Sequence, residues 1–227
     1  MSKTSMIAAG AALAVLAGIG LSANRAGTPL TQGFSTAALA QEATPSAEAQ
    51  RVPDMVLGVA EAPVEVIEYA SFTCPHCAHF HETVFDDLKR DYIDTGKVRF
   101  VYREVYFDRF GLWAAAVARC AGPEKYFAVA DMIYDTQKEW IGDGTPATIA
   151  DNLRKIGIKA GMTAEQVDAC LRDEDQMKAM IATYQANATR DGINSTPSFV
   201  IDGTKYSNMS YADFSAILDE KLAEKAE

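Results

Sequence analysis

From Gly111 to Gly192 the chain carries helical patterning alone, and strand patterning is confined to the residues on either side of that stretch. Any sheet must therefore join segments separated by an excursion of about eighty residues, which makes the helical block an insertion spliced into one α/β unit. Upstream, "APVEVIEYASF" places Val64 and Val66 on one face and Ile67 and Tyr69 on the other, the pattern of a strand buried on both sides. A helix is predicted from Cys74 or Pro75 to about Asp94, then a second buried strand, "KVRFVYREVY". Inside the block, "LWAAAVARCAG", "PEKYFAVADMIYDTQKEW", "PATIADNLRKIGI", "TAEQVDACLRD" and "EDQMKAMIATYQANATRDG" read as five helices separated by Gly, Pro or capping residues. Downstream, "SFVIDG" pairs with "TKYS" as a hairpin, and "YADFSAILDEKLAEKA" closes the chain as a helix. Trp113, Met132, Met177 and Met180 read as core filling.

The first forty residues stand apart. Lys3 precedes an uncharged run, Met6 to Leu21, and "ALA" ends at Ala40, the layout of a secretory signal cut after Ala40. That run falls short of the roughly 20 residues a spanning helix needs. Residues 41–53 are small, polar and punctuated by Pro, as a linker is. The expected organisation is a signal at 1–40, a linker at 41–53, an α/β domain from 54–110 and 193–227, and the helical insertion at 111–192. Removing 1–40 takes away Lys3 and Arg25 and no acid, moving the net charge from -10 to -12. Nucleic acid and anionic membrane surfaces are poor partners for such a chain. With 48% hydrophobic and 23% charged residues, a packed core is expected. Outside the cytoplasm thiols oxidise, and four cysteines are too few for a stapled scaffold, so they serve as specific pairs.

"FTCPHCAHFH", residues 72–81, holds all three histidines and two of the four cysteines. On a helix, Cys74, Cys77 and His81 share a face at i, i+3 and i+7, which would make an open metal site, but no second CxxC or HxxxH supplies a fourth ligand. A redox pair needs less. Cys74 at a helix N-terminus meets unpaired N–H groups and the positive end of the macrodipole, both of which favour thiolate. Pro75 suits the first helical position, and Cys77, one turn in, is the more buried thiol. His76 can add charge or a donor near the Cys74 sulfur, whereas His79 and His81 read as ordinary helix residues. Each unit by which the Cys74 pKa falls favours the thiolate by about 1.4 kcal/mol, which makes the Cys74–Cys77 disulfide the better oxidant.

"VIEYASFTCPHC" followed by "GINSTPSFVIDG" resembles the DsbA family of thiol:disulfide oxidoreductases over about residues 54–225. The resemblance implies a thioredoxin-like fold, a central mixed β-sheet flanked by helices with an inserted all-α domain. It also implies a cis Thr196–Pro197 bond beside the cysteines, with Thr196 offering backbone groups to an extended substrate. Glu68 matches the family's buried acid, and its implied role is to exchange a proton with Cys77 through water. The implied activity is donation of the Cys74–Cys77 disulfide to folding secreted proteins in the periplasm. Reoxidation would come from a DsbB-like, quinone-linked membrane partner, with no metal, nicotinamide or flavin cofactor. In an oxidising compartment Cys120 and Cys170 are expected to form a structural disulfide, as in some relatives.

Rival readings are a disulfide isomerase or reductase on the same fold, a redox-inert chaperone, and a metal-binding module built on Cys74, Cys77 and His81. Isomerases of this kind carry an N-terminal dimerisation module that a thirteen-residue linker cannot supply, so a monomer is expected.

Overall fold

The computed structural model describes residues 51–226, so the expected signal segment and most of the linker lie outside the described residues. Five strands form one mixed sheet in the order β1-β3-β2-β4-β5: β1 (Met55–Leu57), β2 (Val64–Ala70), β3 (Val98–Glu104), β4 (Ser198–Ile201) and β5 (Thr204–Ser207). β2 and β3 run parallel, and every other neighbouring pair is antiparallel. The helix between β2 and β3, α1, spans 75–93 and takes wider π turns at His81–Phe85 and Lys89–Ile93. Between β3 and β4 come α2 (Arg109–Cys120), α3 (Tyr126–Asp135), α4 (Gln137–Ile141), α5 (Pro146–Lys159), α6 (Ala164–Cys170) and α7 (Glu174–Arg190); α8 (Tyr211–Lys225) follows the hairpin.

β2 is the middle strand, and the two-faced pattern read from its sequence is the one that packs. Val64, Val66 and Ala70 join the main core with Phe80, Phe199, Phe214 and Leu218. Ile67 and Tyr69 join Val101, Val105 and Val200 on the opposite face, against Tyr184 and Ile193. Glu68 projects to the main-core side between Val66 and Ala70 and is fully buried, so an acid sits where the alternation places an apolar residue.

One expectation needs correction, and the structure adds two features that the sequence pattern does not carry. One helix was expected across 123–140, but α3 stops at Asp135 and α4 restarts at Gln137, with Thr136 at φ -107° and ψ 23° between them. Trp140 explains the break: it is 1% exposed, and its Nε1 donates to the Ile133 carbonyl at 2.8 Å, replacing a helical bond that the break removes. β1 carries too short a pattern to read as a strand and forms by antiparallel pairing with β3. The end of the expected linker is docked: Val52 N–H donates to Thr183 Oγ1 at 3.0 Å, and Arg119 donates to the Pro53 carbonyl at 2.9 Å. The inserted helices are tied to the sheet through Glu104, which accepts two bonds from Arg119, at 2.7 and 2.6 Å, and one from the Tyr126 hydroxyl at 2.8 Å.

Candidate active site

Cys74 is the N-cap of α1 at the carboxyl end of the central strand, with Pro75 at the first helical position. Its φ of -83° and ψ of 119° are extended, and no side chain caps the helix, which leaves the first-turn N–H groups facing the sulfur. The loop before it is held tightly. Thr73 Oγ1 donates to Asp108 Oδ2 at 2.8 Å, and the other oxygen of Asp108 caps α2 by accepting from Phe110 and Gly111 N–H at 2.7 and 2.9 Å. Glycine at 111 leaves room for this loop, since a Cβ there would stand 3.2 Å from Ser71 Oγ and 3.3 Å from Thr73 Oγ1 and would press both side chains aside by a few tenths of an ångström.

The two active cysteines are free thiols with opposite surroundings. Cys74 is 9% exposed and Cys77 is fully buried. The Cys74 pKa is lowered from 9.0 to about 5: the Cys77 thiol donates to its sulfur, burial opposes the shift, and the Thr196 hydroxyl and the N–H groups of Cys77 and His76 add to the lowering. Burial pushes the Cys77 thiol well up, and its bond to Cys74 and the charge of Glu68 push the same way. The pair is thus one thiolate and one thiol, which is the asymmetry thiol–disulfide exchange uses.

Thr196 and Pro197 lie beside Cys74. The Thr196 carbonyl oxygen is 3.6 Å from the Cys74 sulfur, and the Thr196–Pro197 peptide is cis. The Thr196 hydroxyl is buried without a hydrogen-bond partner and contributes to lowering the Cys74 pKa. The imidazole of His76 is exposed, and what residue 76 brings to the Cys74 sulfur is its main-chain N–H.

His81 is not the ordinary helix residue its spacing suggests. Its side chain is 5% exposed, and Nε2 lies 3.1 Å from Oε2 of the fully buried Glu68. The ring stacks on Tyr134 at 4.3 Å between centroids and packs beside Phe85 at 4.6 Å. Glu68 Oε1 and His81 Nδ1 have no protein partner. His81 therefore faces an acid on β2, and among the described residues no group of three or more side chains converges as a metal site. His79 is on the exposed side of α1, with Nδ1 3.6 Å from Glu82. Two open clefts flank the cysteine helix. One, of about 430 Å³, is bordered by Pro75, Ala78, Glu82, Tyr134 and Gln137. The other, of about 510 Å³, is bordered by Phe80, Val84, Met209 and Tyr211.

Away from this site, a disulfide joins Cys120 at the end of α2 to Cys170 at the end of α6, with Cα atoms 6.2 Å apart and a sequence separation of 50. Gln137 and the His81–Glu68 pairing escaped the sequence reading. Both depend on contacts between distant segments, and the only local signal was a histidine at the i+7 position from Cys74.

A family model described as Thioredoxin matches residues 50–220. The chain is 33% identical over 204 residues to a Rickettsia conorii protein provisionally named a protein-disulfide oxidoreductase, covering 87% of this chain and 73% of that protein. A Rickettsia bellii protein of the same name is 36% identical over 172 residues, 75% of this chain and 65% of that protein, so the present chain spans only about two thirds of its length. Among solved structures, Wolbachia pipientis alpha-DsbA1 superposes with a TM-score of 0.70 at 27% identity, over 80% of this chain and 98% of that one. BdbD from Bacillus subtilis shares the fold, with a TM-score of 0.67 at 19% identity over 75% of this chain and 93% of that one.

Proposed function

The chain belongs to the thioredoxin family, in its DsbA-like branch, and from that premise we propose that it is an exported thiol:disulfide oxidoreductase that donates the Cys74–Cys77 disulfide to folding proteins in the periplasm. The observation that carries this reading is the split between an acidic Cys74, lowered to about 5, and a Cys77 thiol held high by burial. Holding one sulfur as thiolate stabilises the reduced pair, and an enzyme whose reduced form is favoured is an oxidant.

In the first step a substrate thiolate attacks the Cys74 sulfur of the oxidised pair. The Cys74–Cys77 bond breaks, a substrate–Cys74 disulfide forms, and Cys77 leaves with the electron pair and takes up a proton. Glu68, buried on β2 and bonded to His81, is the group assigned to exchange that proton with Cys77 through water, because its charge already acts on the Cys77 thiol. In the second step another substrate thiolate attacks the bound substrate sulfur, and Cys74 departs as its stable thiolate. Two electrons have then moved from substrate to enzyme, and a DsbB-like quinone-linked membrane oxidase removes them. The Thr196 main chain, whose carbonyl adjoins Cys74, is the assigned docking edge for an extended substrate.

Mixing the oxidised protein with a reduced two-cysteine peptide tests this. One peptide disulfide should form per enzyme molecule, with loss of two peptide thiols and gain of two enzyme thiols. Cys74→Ser should abolish the transfer. Transfer that persists in Cys74→Ser, or no transfer by the unaltered protein, defeats the proposal. An isomerase reading has the support of a similar fold in the protein-disulfide isomerase from Novosphingobium aromaticivorans, with a TM-score of 0.68 and 25% identity. Reshuffling of a scrambled disulfide protein, absent for a pure oxidant, separates the two.

A further inference from the structure

Gln137 lies in the helical insertion, 63 residues from Cys74 in sequence, yet its side chain ends on the active-site backbone. It is 7% exposed, and Nε2 donates to the Phe72 carbonyl at 2.8 Å and to the Cys74 carbonyl at 3.0 Å. A side-chain amide has two N–H hydrogens, and both are used here on the two carbonyls that bracket Thr73. The Cys74 carbonyl also accepts the first main-chain bond of α1, from Ala78 N–H at 3.2 Å. Gln137 therefore grips the peptide from which the cysteine helix starts.

We propose that Gln137 is a positioning residue for Cys74: by bridging the Phe72 and Cys74 carbonyls it fixes the turn that aims the first N–H groups of α1 at the Cys74 sulfur. The helical insertion thereby helps set the acidity of the reactive thiol. This deepens the oxidoreductase reading and rests on it.

The placement of Gln137 is fixed from its own side. The break between α3 and α4 turns the chain at Thr136, and the carbonyls it exposes are met locally. Met132 accepts from Thr136 Oγ1 at 2.6 Å, and Ile133 accepts from the buried Trp140 indole at 2.8 Å. The receiving side is equally held. The Phe72 ring packs between Tyr102 and Tyr134, with centroids 5.8 and 5.0 Å away, and Thr73 is bound to Asp108. Without the amide, two buried carbonyls lose a donor, and the peptide that carries Cys74 is drawn toward another partner or water. The N–H groups of His76 and Cys77, which help hold the Cys74 thiolate, move with that peptide. The link is directional: the carbonyls can only accept, so an apolar residue of equal size fills the space without replacing the function.

The test uses the reduced active pair with the Cys120–Cys170 bridge intact, and measures Cys74 alkylation by iodoacetamide, read by mass spectrometry, from pH 4 to 8. Gln137→Met keeps the volume and removes both donors. Its Cys74 midpoint should rise by about one unit, which slows alkylation at pH 5 roughly five-fold relative to the unsubstituted protein. A folded Gln137→Met protein with an unchanged midpoint, differing only in melting temperature, overturns the proposal. Should that variant not fold, Gln137→Asn decides. Its shorter side chain cannot span both carbonyls, and a rise of about half a unit supports the bridge while an unchanged midpoint overturns it. An unsubstituted protein whose Cys74 titrates like ordinary cysteine overturns the redox reading and this inference together. Equal acidity in parent and variant overturns this inference alone.

Discussion

Reducing the Cys74–Cys77 pair should stabilise the protein near neutral pH, although breaking a disulfide ordinarily destabilises. Two opposing contributions set the balance. A disulfide closing only four residues constrains the unfolded chain by about 2 kcal/mol on loop-closure entropy, and reduction forfeits this. In return the reduced fold gains a thiolate whose pKa is about 5 against 9.0 for an ordinary cysteine. A pKa depressed by folding adds stability that is complete above the unfolded value and is lost as the pH falls through the folded one. The window is therefore pH 9 down to pH 5. At pH 7 two units of it are realised, or about 3 kcal/mol at 1.4 kcal/mol per unit. The Cys74 sulfur meets solvent on one side, which screens part of this, so the figure is a ceiling. Cys77, pushed upward by burial, is a thiol in both states at pH 7 and adds nothing to the difference there.

The reduced form should then exceed the oxidised one by up to about 1 kcal/mol at pH 7, a rise of about 2 to 4 °C in a domain of this size. The advantage should grow toward pH 8 by up to about 1.4 kcal/mol, vanish near pH 6 to 6.5, and reverse at pH 5. Scanning calorimetry of both redox forms across that range measures it, in a Cys120→Ala, Cys170→Ala background so that only the active pair changes. The slope with pH is the discriminating quantity. A stability difference that stays flat from pH 5 to 8, or that favours the oxidised form throughout, would refute the reasoning.

Three further outcomes follow from the geometry. His81→Leu leaves the Glu68 carboxyl buried without its partner and should cost about 3 kcal/mol in urea unfolding, while the His81→Leu, Glu68→Leu double variant should cost less than the sum of the two single changes; additive losses would mean that the pair is not coupled. Removing the Cys120–Cys170 bridge, which closes a loop of 50 residues, should lower stability by up to about 4 kcal/mol without moving the Cys74 titration, since it joins α2 to α6 away from Thr196 and Cys77. Thr196→Val should raise the Cys74 pKa by removing a buried hydroxyl that helps lower it, and alkylation at pH 5 should slow; an unchanged rate would show that the hydroxyl does not reach the thiolate.

Much of the sheet was legible because its strands announce their own burial. Val64 to Tyr69 alternate so that both faces must be covered, and that requirement alone puts β2 in the middle. The placing of Cys74 and Pro75 was equally local, since an N-cap and a first helical position are adjacent features of one turn. What the chain hid is what depends on separated segments. β1 is three residues long and exists because β3 offers an edge to it. His81 looks like any helix residue until β2 brings Glu68 against it from thirteen residues upstream. The break at Thr136 carries no Gly or Pro, and arises because Trp140 and Gln137 both find better partners off the helix axis than on it. Helical periodicity reports which face is apolar, and it is silent on a polar side chain reaching a distant carbonyl.

The central claim is that Cys74 is more stable as an anion at the start of its helix than in a disulfide with Cys77. Thiolate absorbance near 240 nm, followed as the reduced protein is titrated with the Cys120–Cys170 bridge left closed, reads that sulfur directly. A single transition with a midpoint near 5 is the predicted result, with Cys77 silent through pH 8. A first transition at the ordinary cysteine position, near 8.5 to 9, would contradict it.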